Sequence, residues 1–124
     1  MTASEAVARY YDAWKNGHGD FSDVPLADDF QFIGPVASFH DAAGYRVMAR
    51  QAGQAVTSFD VRRQFVDGDT VCSIVDWEMA MPGLGPLRAA EVLEVVDGVI
   101  VRGELFYDGE PLRKLMAAQE SASA

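Results

Sequence analysis

The chain has 124 residues, 49% of them hydrophobic, a formal net charge of −9 and one cysteine, which is one domain's length and buries roughly two-thirds of its unfolded surface. The acidic balance argues against nucleic acid and anionic membrane as partners, since both need basic patches, and the lone Cys72 excludes an internal disulfide or a cysteine-based metal site within one chain. No run approaches the ~20 apolar residues of a membrane span, and the N-terminus lacks the basic start and apolar block of a signal peptide, so the cytosol is the expected compartment and a neutral small molecule the fitting ligand.

Ser4 to about Asn16 is predicted helical. Val7, Tyr10, Tyr11 and Trp14 recur at helical spacing, Thr2 or Ser4 caps the start, and Asn16-Gly17 ends it. Such an aromatic stripe reads first as core, although a buried phenol needs a hydrogen-bond partner. Residues 18–21 form a turn, and Phe21 to Ala27 a short helix interrupted by Pro25. Asp29 to Val36 reads as a strand with Phe30, Phe32 and Gly34 on one face, broken at Pro35 because proline cannot donate to a ladder. Asp41 caps a second helix reaching about Gln54, with Tyr45, Met48 and Ala52 as its apolar stripe.

Four consecutive strands follow. Residues 58–66 and 70–81 flank Asp67-Gly68-Asp69, and the stretch from Ala89 to Asp108 is split by Asp97-Gly98, the dipeptide that suits a two-residue type I′ turn. In the second strand Val71, Ser73, Val75, Trp77 and Met79 alternate with residues that carry the charges, so the first set faces inward. Residues 81–86 are a loop of breakers. In the last hairpin Ala89, Glu91, Leu93 and Val95 share one face, and Val101, Gly103, Leu105 and Tyr107 another. The tail from Glu110 is a short helix that frays from about residue 117. Strands behind a helical N-terminal half make an α+β domain.

No P-loop, dinucleotide fingerprint, HExxH or Gly-x-Ser-x-Gly elbow is present, and no cofactor is called for. His18 and His40 have no ligand spacing, so no metal site is expected. Glu91 stands out. On a face with Ala89, Leu93 and Val95, burial would raise its pKa, and it could stay protonated and donate a hydrogen bond. A one-residue register shift would instead turn it to solvent.

The residues ArgTyrTyrAspAlaTrp (9–14), GlyAspPhe (19–21), the run from Leu26 to Pro35 and the two Asp-Gly hairpins resemble the NTF2-like superfamily, and within it the SnoaL-like and ketosteroid-isomerase-like proteins. The resemblance covers nearly the whole chain. It implies a cone-shaped NTF2-like (cystatin-like) fold, a strongly bent mixed sheet wrapped around helices with a deep apolar pocket at one end. It also implies a homodimer through the outer sheet face, where Asp76, Glu78 and Arg102 would lie. Arg9-Tyr10 resembles the arginine–tyrosine pair whose tyrosine donates to the substrate carbonyl, and Glu91 falls near the protonated aspartate that is the second donor. In ketosteroid isomerase such a tyrosine and such a neutral carboxylic acid together form the oxyanion hole. The departure is Gly34, which stands where the isomerases carry their catalytic aspartate before a proline, and glycine cannot abstract a proton.

Three readings follow from this. The first is an enzyme on a hydrophobic oxygenated molecule of steroid, polyketide or terpenoid type, acting by isomerisation, cyclisation or dehydration through an enol(ate) held by Tyr10 and protonated Glu91. Its pocket would be walled by Trp14, Phe32, Gly34, Tyr45, Met48, Val75, Trp77, Met79, Leu93, Leu105 and Tyr107, with His40 either a replacement base at the mouth or a surface histidine. The second is a non-catalytic ligand binder or a dimeric interaction module. The third is epoxide hydrolysis, which needs two inward carboxylates and a cation; Asp76 points outward by parity, and Arg63 is the nearest cation.

Overall fold

The structure, a computed structural model, describes residues 1–123. Helix α1 spans Ala3–Lys15 and opens on a capping box: Thr2 Oγ1 accepts from the Glu5 amide at 3.1 Å, and Glu5 Oε1 accepts from the Thr2 amide at 3.1 Å. Strand β1 (Leu26–Ile33) and the two-residue β2 (Ser38–Phe39) lead to α2 (Ala42–Gly53), whose cap Asp41 accepts from the Gly44 amide at 2.7 Å. Then come β3 (Val56–Asp67), β4 (Thr70–Met79), β5 (Leu87–Val96), β6 (Val99–Phe106) and helix α3 (Glu110–Ser123).

The segment 21–27 is not the expected short helix. It is a turn that runs directly into β1 at Leu26, and its carbonyls at Phe21 and Val24 accept both from the Val24 and Leu26 amides and from the Arg46 guanidinium of α2. These are short-range turn bonds, and Pro25, with no amide hydrogen, cannot extend them into a helical ladder, while the guanidinium ties the turn to α2.

The strands form one sheet in the order β2-β1-β6-β5-β4-β3, with β1 and β6 parallel and the other neighbours antiparallel. This is the mixed α+β cone that the resemblance implies. α1 and α2 fill its concave face, where Val7, Tyr10, Phe21, Phe30, Tyr45, Val75, Leu93 and Ile100 form the core. The two-residue alternation holds along β4 and β5 without interruption.

Along β6 it does not. Ile100 pairs with Val95 and Arg102 with Glu94, so Val101 is an extra residue. Ile100, not Val101, is therefore the fully buried side chain at that end of the strand, while Gly103 and Leu105 keep the inner face beyond it. No helix among the described residues is long and apolar enough to cross a membrane.

Candidate functional site

Between α2, α3 and the concave face of the sheet lies a cavity of about 320 Å³. Its aromatic wall comes from Trp14, Phe32, Phe39, Tyr45, Phe59, Trp77 and Tyr107, with Val75 and Leu105 between them. Met48, Met79, Met81 and Met116 also line it, four of the chain's five methionines. The mouth is completed by the segment 34–37 and by Leu112 of α3. Arg113 Nη1 donates to the Pro35 carbonyl at 2.9 Å and fixes α3 against that segment.

Within this wall Glu91 is the one carboxyl among the described lining residues. Strand alternation carries it inward with Ala89 and Leu93, and it is 4% exposed. Tyr10 of α1 donates to its Oε2 at 2.9 Å. The Tyr10 hydroxyl also forms a short hydrogen bond with the Tyr45 hydroxyl of α2. Burial pushes the Glu91 carboxyl up to about 7, against the lowering pull of Tyr10 and, from a wider approach, Tyr11. Burial, and next the charge of Glu91, push the phenols of Tyr10 and Tyr45 well above the ordinary tyrosine range, so both act only as neutral hydroxyls.

The cavity wall holds Trp14, Phe32, Gly34, Tyr45, Met48, Val75, Trp77, Met79, Glu91, Leu105 and Tyr107 together. Three expected residues lie elsewhere. Tyr10 is 0% exposed and sits one hydrogen bond behind the wall, bridging Glu91 and Tyr45. Leu93 is packed into the core, where a Cβ at Gly103 would meet its Cδ2 at 3.1 Å. His40 is on the outside, with Nδ1 3.5 Å from Gln31 Oε1, and does not line the cavity.

The other charged candidates are also outside. Asp76 is bound by Arg88 at 2.7 Å and Arg62 at 3.0 Å, and these guanidinium groups hold its carboxyl below the usual range. Arg63 lies over the exposed Phe65 ring, 5.2 Å from its centroid, and Arg9 reaches toward the Asp23 carbonyl. Among the described residues no group of three His, Cys, Asp or Glu could hold a metal.

Sequence reasoning missed Phe39, Phe59 and the α3 residues Leu112 and Met116 as wall, and missed the role of Tyr45 as a hydroxyl. The helical spacing of Tyr45 signalled only its burial; its pairing with Tyr10 depends on how α1 and α2 cross.

The model of the SnoaL-like domain matches residues 7–103, most of the chain. The chain belongs to this family. The SnoaL-like domain is one form of the NTF2-like fold, and solved structures agree. An NTF2-like protein of unknown function from Cytophaga hutchinsonii ATCC 33406 is 20% identical and superposes with a TM-score of 0.78, over 91% of this chain and 96% of that one. A steroid delta-isomerase from Pseudomonas aeruginosa is 18% identical with a TM-score of 0.73, over 98% and 93%. A protein with a cystatin-like fold from Silicibacter pomeroyi DSS-3 is 18% identical with a TM-score of 0.74, over 92% and 84%. At these identities the likeness shows the fold alone. No curated protein matches the chain.

Proposed function

We propose that this SnoaL-like domain is an enzyme that moves a proton on a hydrophobic, oxygenated small molecule, by isomerisation, cyclisation or dehydration through an enol(ate). The observation that supports it is the placement of Glu91: one carboxyl, poised near neutrality, in an otherwise apolar cavity wall. A group with a pKa close to the working pH gives and takes protons most effectively. As a carboxylate Glu91 takes the proton from the carbon beside the substrate carbonyl. As the resulting carboxyl it donates to the oxygen where charge has developed, and it then returns the proton to another carbon or to a departing hydroxyl. From behind the wall Tyr10 accepts from the Tyr45 hydroxyl and donates its own hydrogen to Glu91. The apolar wall selects a steroid-, polyketide- or terpenoid-type skeleton with few polar groups.

A second reading, a ligand binder without turnover, is favoured by one observation. Gly34 lies in the cavity wall at the place of the isomerases' base, and no other carboxylate or histidine lines the wall among the described residues. In either case a dimer through the outer sheet face, in the cytosol, is the expected assembly.

Titration with a phenolic steroid-like ligand, followed by the emission of Trp77 and Trp14 in the cavity wall, tests the site. Saturable binding that weakens about tenfold in Glu91→Ala, the scale of a net hydrogen bond, supports Glu91 as the ligand's donor. Equal affinity in both proteins removes it. Turnover of a bound ketone or hydroxyketone that is lost in Glu91→Gln separates the enzyme from the binder.

A further inference from the structure

The hydroxyl groups around Glu91 fall into two sets. On one side Tyr10 donates to Oε2 and is itself joined to Tyr45. On the other side stands Tyr11, 5% exposed, whose hydroxyl completes no hydrogen bond among the described residues. The polar groups it faces are Glu91 and Ser73. Ser73 lies opposite Glu91 in the β4–β5 ladder, is fully buried, and accepts from Gln64 Nε2 at 3.2 Å. Gln64 is on the exposed strand β3. The ladder neighbour of Glu91 on β6 is the apolar Leu105. The groups that face the carboxyl are thus Tyr10 and Tyr11 from α1, Tyr45 from α2 and Ser73 from β4.

A buried hydroxyl without a partner is destabilising and calls for a reason. Counting hydrogens supplies one. A protonated carboxyl carries its own O–H, whereas a carboxylate only accepts and has room for several donors. Gln64 already fills an acceptor site of Ser73, which leaves the Ser73 O–H free to turn toward Tyr11, and the Tyr11 O–H free to turn toward Glu91. The donors in the row can thus run in one direction, from Gln64 through Ser73 and Tyr11 to the carboxylate.

We infer that Tyr11 is a reserve donor to Glu91: its hydroxyl stands unpaired while the carboxyl holds its proton, and closes on the carboxylate once that proton has gone, backed by Ser73 and Gln64. Tyr11 is a positioning residue, since it does not line the cavity. The inference rests on the reading of Glu91 as the group that gives and takes the proton. Tyr10 and Tyr11 would then grip the anion from two sides and keep it aimed at the substrate through the half of the cycle in which Glu91 is charged.

An infrared titration of the ligand-free protein tests this, with the Glu91 carbonyl band assigned by its loss in Glu91→Gln. Tyr11→Phe is expected to raise the midpoint of that band by about one unit, a tenfold weaker ionisation, the scale of one charge-assisted hydrogen bond. Ser73→Ala, which leaves the tyrosine ring in place, is expected to shift it in the same direction by less. A midpoint that stays or falls in both variants overturns the inference. Denaturation gives a second readout: Tyr11→Phe is neutral or stabilising where Glu91 is protonated, and destabilising where it is ionised. An equal loss at both extremes marks a packing role and also overturns the inference. Neither measurement uses a ligand, so an inert protein would sink the proposed function alone, and an active protein with an unmoved midpoint would sink only the role of Tyr11.

Discussion

Tyr10 Oη and Glu91 Oε2 meet at 2.9 Å although 81 residues separate them in the chain, and both groups are buried. The contact joins the first helix to the middle of the sheet and, against the stronger effect of burial, pulls down the pKa of the only carboxyl in the cavity wall among the described residues. Tyr10→Phe would remove this donor and leave Tyr45 without its partner. A loss of about 1–3 kcal/mol in stability is expected, the cost of leaving buried polar groups unpaired, measured by urea denaturation. The same variant should raise the Glu91 midpoint, because the Tyr10 hydrogen bond pulls it down.

Glu91 also makes stability depend on pH in a definite direction. Its folded value of about 7 lies above the ordinary 4.5, so between these values the folded chain holds a proton that the unfolded chain has released. Stability from this group is fully present below about pH 4.5 and is lost as pH rises through about 7, by roughly 3 kcal/mol in total. Glu91→Gln should flatten that slope. Denaturation midpoints at a series of pH values check it, and parallel slopes in the two proteins would contradict the buried, raised carboxyl.

The turn after α1 lies against the end of α2 with no room for a side chain. A Cβ at Gly53 would overlap the His18 carbonyl, and one at Gly19 would overlap the Ala49 carbonyl, with Gly19 also at a φ of 85°. Gly53→Ala should cost about 1–3 kcal/mol through overpacking. It should also shift the aromatic resonances of Tyr45, since α2 must move as a body to relieve the overlap. Calorimetry and a proton spectrum report both effects.

Helix α3 closes the cavity through Leu112 and Met116, yet is fixed to segment 34–37 by the Arg113 contact to Pro35. Arg113→Ala should speed amide exchange along α3 and shorten the residence of a bound ligand. Global stability should change by less than about 1 kcal/mol, since the contact is exposed. Unchanged exchange in α3 would show that apolar packing alone holds it.

Much of this arrangement is legible in residue spacing. The inward set of β4 and the inward placement of Glu91 follow from uninterrupted alternation, and both helix caps follow from Thr2 and Asp41. What is not legible depends on contacts between distant segments. The segment 21–27 closes as a turn tied by Arg46 to α2, the hydroxyl of Tyr45 acquires its partner only when α1 and α2 cross, and Tyr10 is held back from the wall by the same crossing. His40 follows a two-residue strand whose direction no periodicity could set. The face of Val101 escapes periodicity for a different reason, because an inserted residue in a ladder leaves the local composition unchanged.

That extra residue gives one strand two independent duties. Up to Ile100, β6 packs into the buried core; beyond Val101 the inner parity starts afresh at Gly103, and Leu105 and, past the strand's end, Tyr107 serve the ligand chamber. A strictly alternating strand would have to commit both ends to one phase, so that burying Ile100 would turn the chamber's residues to solvent. With the phase reset between them, the chamber can be recut for a new ligand while the core around Ile100 keeps its packing.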